Sequence, residues 1–121
     1  MKKRILIVDD DQEMLILFAK KLQQAYDVIT AINGVEALDK ALTKAPNLII
    51  LDLLLPDISG HEICQKLKED KQTENIPILF LTGHNNPNDV VESFEQGVEN
   101  YITKPISPKQ LSHYIEEALS T

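Results

Sequence analysis

The hydrophobic positions of this chain fall in short continuous runs that are separated by longer amphipathic stretches. Runs rich in β-branched and other apolar residues predict five strands, at residues 5–8, 27–31, 48–51, 78–81 and 101–103. The third and fourth runs are apolar at every position, which is typical of strands covered on both faces in a parallel sheet. The alternation of these runs with helical stretches predicts an α/β fold.

Capping patterns mark where the predicted helices begin. Asn33, Ser59 and Ser107 are each followed three residues later by Glu or Gln, which is the spacing of a capping box. Pro87 and Pro108 stand at first helical positions, where a missing amide hydrogen costs little. An apolar stripe follows each start, so each of five helices has one face to bury. The stripes are Met14, Phe18 and Leu22; Leu38, Ala41 and Leu42; Ile63 and Leu67; Val90, Val91 and Phe94; and Leu111, Ile115 and Ala118.

This order of elements predicts a doubly wound, five-stranded parallel sheet with helices on both faces. Parallel crossovers are almost always right-handed, and by analogy with other doubly wound sheets we expect the flavodoxin-like strand order 2-1-3-4-5. A chain of 121 residues has room for one such domain.

Charge and cysteine content restrict the possible functions. The formal net charge is -7 at pH 7, which argues against direct nucleic-acid binding and against binding to an anionic membrane. The apolar runs are too short for a signal peptide or a membrane span, so a cytoplasmic protein is expected. The single cysteine, Cys64, is expected to be a small buried hydrophobic residue.

Polar side chains stand where four of the five predicted strands end. Asp9 and Asp10 follow strand 1, Asp52 follows strand 3, Thr82 follows strand 4 and Lys104 follows strand 5. Ligands of doubly wound sheets bind beyond the carboxyl ends of the strands, near the point where the strand order reverses. We therefore expect these groups to converge at one rim of the sheet.

The expected rim has the components of a phosphoryl-transfer site. Three carboxylates at one place repel one another, and a hard divalent cation with oxygen ligands, such as Mg2+, relieves that repulsion. The Thr82 hydroxyl and the Lys104 ammonium would add a hydrogen-bond donor and a positive charge. Asp52 is the best candidate for the nucleophile because it stands alone at the end of a central strand.

Each of these residues also has an ordinary structural interpretation. Asp10 alone could be a helix N-cap, and Asp11 is assigned to the first helical turn, where the helix dipole favours an acid. Asp52 could be a turn residue, Thr82 a strand residue and Lys104 an exposed loop lysine. The functional interpretation depends on their joint position at the ends of the correct strands.

The histidines receive no role in this site. Zinc is disfavoured because the chain has no cysteine pair and its histidines are scattered along the sequence. His84 is expected in a loop near the rim, and His61 and His113 at exposed helix positions.

Four segments together resemble the receiver domain of two-component response regulators, of the chemotaxis-regulator-like type. They are ILIVDDD, LIILDLLLPDISG, IPILFLTG and GVENYITKP, and the similarity covers essentially the whole chain. It implies a single receiver domain at residues 1–121, without an output domain in this chain. It also implies a phosphorylation-activated switch of a phosphorelay and not an enzyme, with at most self-phosphorylation from small phosphodonors and self-dephosphorylation.

The resemblance implies a role for each rim residue. Asp52 would be the phosphoacceptor, supplied by a histidine kinase or a histidine phosphotransfer protein. Asp9, Asp10 and Asp52, with the backbone carbonyl of Leu54, would hold Mg2+.

The same resemblance implies a switch. Thr82 would turn toward the phosphoryl group, Tyr101 would swing inward with it, and Lys104, in a cis peptide bond with Pro105, would pair with the phosphoryl oxygens. The surface of helix 4, strand 5 and helix 5 would then shift to control a downstream protein or output domain, as a monomer or a phosphorylation-dependent dimer.

Departures from the family pattern concern the surroundings of the site. Ile106 stands where phenylalanine often follows Lys-Pro. Leu54 and His84 occupy positions that tune access to the acyl phosphate, and a leucine there should hinder attacking water. The surface of helix 4 to helix 5 lacks the arginine-rich dimer pattern associated with winged-helix transcription regulators.

Two other classes use part of this pattern. A haloacid-dehalogenase-like phosphatase also needs a strand-end aspartate and Mg2+, but it requires a second acid two residues later, where this chain has Leu54. A flavodoxin-like cofactor binder needs a hydroxyl- and glycine-rich loop after strand 1, where three aspartates would repel a cofactor phosphate. The absence of a G-x-G-x-x-G motif disfavours dinucleotide binding.

Overall fold

Residues 1–120 are described by a computed structural model, in which five strands alternate with five helices. The strands are β1 (Arg4–Val8), β2 (Asp27–Ala31), β3 (Leu48–Leu51), β4 (Ile78–Thr82) and β5 (Asn100–Thr103). The helices are α1 (Gln12–Leu22), α2 (Gly34–Lys44), α3 (Gly60–Glu69), α4 (Pro87–Glu95) and α5 (Pro108–Leu119). The five predicted strands are confirmed, and β1, β4 and β5 are each one residue longer than the sequence pattern indicated.

The sheet has the predicted order, β2-β1-β3-β4-β5, and neighbouring strands pair in parallel. In the register of β1 and β3, Val8 lies opposite Leu51, and the Asp52 amide donates to the Val8 carbonyl at 3.1 Å. The carboxyl ends of the two central strands therefore finish at the same level. Asp9 and Asp52 are brought side by side because each follows one of these ends.

Two hydrophobic clusters cover the two faces of the sheet. Alternate residues of a strand point to opposite faces, so Leu6, Ile49 and Phe80 pack with α2 and α3, while Ile5, Ile50 and Leu79 pack with α1 and α5. This two-sided burial explains why β3 and β4 are apolar throughout. Cys64 lies buried in the first cluster, as expected.

The helix caps follow the sequence at most positions. Asn33, Ser59 and Ser107 each accept a hydrogen bond from the backbone amide three residues later, and Ser107 forms the full reciprocal box with Gln110. The interpretation of the first helix is corrected. Asp11 is the N-cap of α1, and its side chain accepts a hydrogen bond from the Met14 amide. The N-cap is therefore not Asp10, and Asp11 does not lie in the first helical turn.

Three predicted apolar stripes are partly wrong. In α1, Leu15 is buried and Met14 only half-buried; in α2, Ala37 is buried and Leu42 is exposed. In α4, Val91 and Phe94 are 58% and 50% exposed, and the buried side chain is Ser93. Ser93 faces α3, where its Oγ lies 2.9 Å from His61 Nε2, and its hydroxyl donates to the Asp89 carbonyl of its own helix at 2.7 Å.

Asp57 ties the loop after β3 to the start of α2. Its carboxylate accepts from the amides of Gly34 at 2.8 Å and Val35 at 2.9 Å. These hydrogen bonds stabilise the ionised form and lower the pKa of Asp57 below its ordinary value of 3.8. The two amides are unpaired donors at the helix start, so a carboxylate from another loop satisfies them.

Asp57→Asn is expected to lower the melting temperature at neutral pH. The contribution of this carboxylate is present above pH 3.8 and is lost as the pH falls through the lowered folded pKa, so the difference between variant and wild type should shrink in acid. Thermal unfolding of both proteins, followed by circular dichroism from neutral pH to below pH 3.8, measures the difference in melting temperature. A melting-temperature difference that is equal at neutral and acidic pH would contradict the assignment.

No helix within residues 1–120 combines the length and the hydropathy needed to cross a bilayer.

Candidate functional site

Three aspartates meet at the carboxyl end of the central strands. Asp9, Asp10 and Asp52 each place a carboxylate oxygen within 4.8 Å of the others. Asp9 and Asp52 are buried and Asp10 is exposed, so the cluster opens to solvent on one side. The convergence predicted from the strand ends is confirmed for these three aspartates, and their donor set consists only of oxygen, which is the chemistry that Mg2+ prefers.

Lys104 provides the positive charge beside this cluster. Its Nζ lies 2.6 Å from Asp9 Oδ2 and 3.1 Å from Asp52 Oδ2. Burial by itself would lower the pKa of Lys104, but the hydrogen bonds to the two carboxylates and their charges outweigh burial, so its pKa is raised. The lysine therefore stays charged, and the interpretation as an exposed loop residue is wrong.

Asp9 is a buried carboxylate whose pKa is raised. Burial raises its pKa above the ordinary 3.8, and the charge of Asp52 raises it further. The hydrogen bonds that its carboxylate accepts from Lys104 and from the Asp11 amide oppose this shift without cancelling it. A buried carboxylate whose neighbours do not fully compensate it is a site that a cation would stabilise.

Thr82 and Tyr101 are linked through the loop after β4. Thr82 is buried, and its Oγ1 accepts from the His84 amide at 3.2 Å. The Tyr101 hydroxyl donates to the His84 carbonyl, and its ring lies 6.2 Å from that of Phe80. His84 is half-buried in this loop, near the rim as expected. The backbone of His84 therefore contacts both Thr82 and Tyr101.

Two backbone features lie next to the carboxylate cluster, one after β5 and one at the start of α3. The Lys104–Pro105 peptide bond is cis, and the Lys104 amide donates to the Thr82 carbonyl at 2.8 Å. A Cβ added to Gly60 would lie 2.5 Å from the Asp52 carbonyl oxygen, so only glycine allows α3 to begin this close to the strand end.

The prediction that His61 is exposed is wrong. Its side chain is 14% exposed, its ring meets Phe80 edge-on at 5.4 Å, and its Nε2 lies 2.9 Å from Ser93 Oγ. Residues 61 and 93 belong to different helices, so no local pattern could indicate this contact. His113 is exposed, as predicted.

The chain belongs to the response regulator receiver domain family, because residues 5–116 match that family. It is 42% identical over 120 residues to the alkaline phosphatase synthesis transcriptional regulatory protein PhoP of Bacillus subtilis, covering 98% of this chain and 49% of PhoP. It is 37% identical to response regulator PleD of Caulobacter vibrioides, covering 92% of this chain and 25% of PleD. The chain thus spans about half or less of the length of these relatives.

Solved structures show the same fold. The BeF3-activated DrrB receiver domain superposes with a TM-score of 0.89 at 34% identity, and both chains are fully covered. A CheY-like receiver domain protein from Methanospirillum hungatei superposes with a TM-score of 0.93 at 33% identity, covering 99% of this chain and 95% of that one. Membership of the family implies phosphorylation-dependent signalling, which favours this interpretation over a phosphatase or a cofactor-binding protein.

Proposed function

We propose that Asp52 accepts a phosphoryl group from the phosphohistidine of a histidine kinase or a histidine phosphotransfer protein. The supporting observation is the position of Asp52, whose Oδ2 lies 3.1 Å from Lys104 Nζ and whose carboxylate lies within 4.8 Å of an oxygen of Asp9 and of Asp10. An Asp52 oxygen would form the new bond to phosphorus as the phosphorus–nitrogen bond of the donor breaks. The donor imidazole keeps the electron pair and takes a proton from water, and the product on Asp52 is an acyl phosphate.

Asp9, Asp10 and Asp52 would hold Mg2+, together with the backbone carbonyl of Leu54. The ion, when bound, neutralises part of the negative charge of the carboxylates and of the phosphoryl group. The exposed position of Asp10 leaves room for the water ligands that Mg2+ tends to retain. Asp9 fits this role because, among residues 1–120, the hydrogen bonds that compensate its burial come from Lys104 and from one backbone amide.

Lys104 and Thr82 would respond to phosphorylation by contacting the phosphoryl oxygens. Lys104 already contacts Asp52, so small side-chain movements would pair its ammonium with phosphoryl oxygens. The Thr82 hydroxyl has a hydrogen to donate and would turn toward the same oxygens. That turn weakens its contact with the His84 amide, and Tyr101, bound to the His84 carbonyl, would move inward.

The output would be a change in the surface formed by α4, β5 and α5. Val91 and Phe94 of α4 are already exposed, which provides apolar area for a downstream protein or an output domain. A phosphorylation-dependent dimer through the same surface is the alternative to a monomer that binds a partner. The proposed switch is a population shift and needs no further catalytic group.

Incubation with acetyl phosphate and Mg2+ is expected to add one phosphoryl group per chain. Omission of Mg2+, or addition of EDTA, should reduce the labelling rate strongly, because the single positive charge of Lys104 does not offset three carboxylates and a phosphoryl group at one rim. Intact-protein mass spectrometry measures the stoichiometry. A protein that remains unlabelled with acetyl phosphate and with a phosphohistidine donor would overturn the proposal.

A further inference from the structure

A second cluster of metal-binding side chains lies between α3 and α4, away from the carboxylate rim. His61 of α3 and Asp89 and Glu92 of α4 each place one ligand atom within 4.8 Å of the others. His61 is mostly buried, Asp89 is partly exposed and Glu92 is exposed, so the cluster is reachable from solvent on the α4 side. It differs from the rim because it combines an imidazole nitrogen with two carboxylates.

Hydrogen bonding orients the His61 ring toward the carboxylates. The Ser93 hydroxyl uses its only hydrogen on the Asp89 carbonyl at 2.7 Å, so its oxygen must accept from His61 Nε2 at 2.9 Å. In the neutral ring, the proton is then on Nε2 and the lone pair is on Nδ1. That lone pair faces Asp89 and Glu92, so a proton or a metal cation bound at Nδ1 would pair all three groups.

The distances between the ligand atoms would suit a small cation if these atoms moved slightly closer together. His61 Nδ1 lies 3.7 Å from Glu92 Oε2 and 4.0 Å from Asp89 Oδ1. Ligand atoms of a tetrahedral zinc site lie roughly 3.3 Å apart, given metal–ligand distances of about 2.0 to 2.2 Å. The exposed Glu92 side chain has the freedom to supply much of this movement.

Neighbouring groups already hold the ligands in place. Nε2 of His84 lies 2.7 Å from Asp89 Oδ2, the oxygen on the other side of the carboxylate from His61. The Gln96 side chain donates to the His61 carbonyl at 2.9 Å. Ligands supported in this way, with the second imidazole nitrogen donating to a fixed acceptor, are typical of metal sites in proteins.

We propose that His61, Asp89 and Glu92 form a binding site for a divalent transition cation of the zinc type, bridging α3 and α4. Imidazole nitrogen favours such ions over Mg2+, whereas the oxygen-only rim favours Mg2+, so the two sites select different metals. The scattering of the histidines along the sequence does not exclude this cluster, because folding brings His61 next to α4. Cation binding at this cluster would not require a phosphoryl group on Asp52.

Calorimetric titration with Zn2+ tests the site directly, with excess Mg2+ present to occupy the rim. Wild-type protein is expected to bind one Zn2+ per chain, and Glu92→Gln should weaken that binding about tenfold or more, because it replaces a ligand on an exposed side chain. His61→Gln should weaken it at least as much. Glu95→Gln, on the same helix but outside the cluster, is the control and should leave the affinity unchanged.

Nuclear magnetic resonance of the histidine side chains identifies the ligand atom. Zn2+ is expected to shift the Nδ1 resonance of His61 and to leave that of the exposed His113 unchanged. This readout also covers the case in which His61→Gln fails to fold. Absence of saturable Zn2+ binding, equal binding by wild type and Glu92→Gln, or a Zn2+ shift confined to other histidines would each overturn the proposal.

Discussion

Asp52→Asn is expected to abolish phosphoryl labelling by acetyl phosphate and by a phosphohistidine donor. Asparagine has nearly the shape of aspartate, and its amide oxygen can still accept from the Leu54 amide, which lies 3.2 Å from Asp52 Oδ1. The fold should therefore remain. The amide oxygen carries no full negative charge and is a poor nucleophile, so the acyl phosphate cannot form at a useful rate.

Asp11→Asn is the matched control for this experiment. Asp11 stands in the same run of aspartates, but it caps α1, and asparagine caps helices about as well as aspartate. Its labelling should equal that of the wild type. Asp52→Asn protein that still incorporates one phosphoryl group per chain would show that another residue is the phosphoacceptor.

Lys104→Met is expected to destabilise the metal-free protein by about 2 to 3 kcal/mol at neutral pH. Removing one partner of a fully buried ion pair typically costs about 3 to 5 kcal/mol, and the lower figure allows for the exposed part of the lysine. The substitution leaves the buried carboxylates of Asp9 and Asp52 without their shared cation. Denaturant unfolding in EDTA measures the loss of free energy of unfolding.

Mg2+ should restore much of this loss, because a bound cation replaces the missing ammonium and a ligand of the folded state stabilises it. The increase in melting temperature on adding Mg2+ is therefore expected to be larger for Lys104→Met than for the wild type. Lys109→Met makes the same change at an exposed position of α5 and should alter stability by less than about 0.5 kcal/mol. Equal Mg2+ responses in all three proteins would contradict the arrangement of charges described at the rim.

The carboxylate rim and the proposed transition-cation site are connected through contacts of α4. Asp89 contacts His84 on one side and His61 on the other, while the His84 backbone contacts both Thr82 and Tyr101. The loop that would respond to phosphorylation is thus held by the same carboxylate that would bind a transition cation. This arrangement explains why α4 buries a serine and exposes its apolar residues: its inner face carries polar contacts.

The sequence by itself determined the strands, the main caps and the rim of carboxylates. A strand of continuous apolar residues and a cap three residues from its partner amide are local patterns, and the topology of parallel sheets then places the strand ends together. This is why Asp9, Asp52 and Lys104 could be predicted as neighbours although 95 residues separate Asp9 from Lys104.

Only the tertiary structure decided how the helices are rotated and what their polar residues contact. The apolar spacing of Val91 and Phe94 predicted a buried face, but both side chains are exposed, and α4 instead presents Ser93 to His61, 32 residues earlier in the chain. Asp11, not Asp10, caps α1, because the first helical residue is Gln12. Such choices depend on the packing of whole elements against one another, and a pattern of neighbouring residues contains no information about that packing.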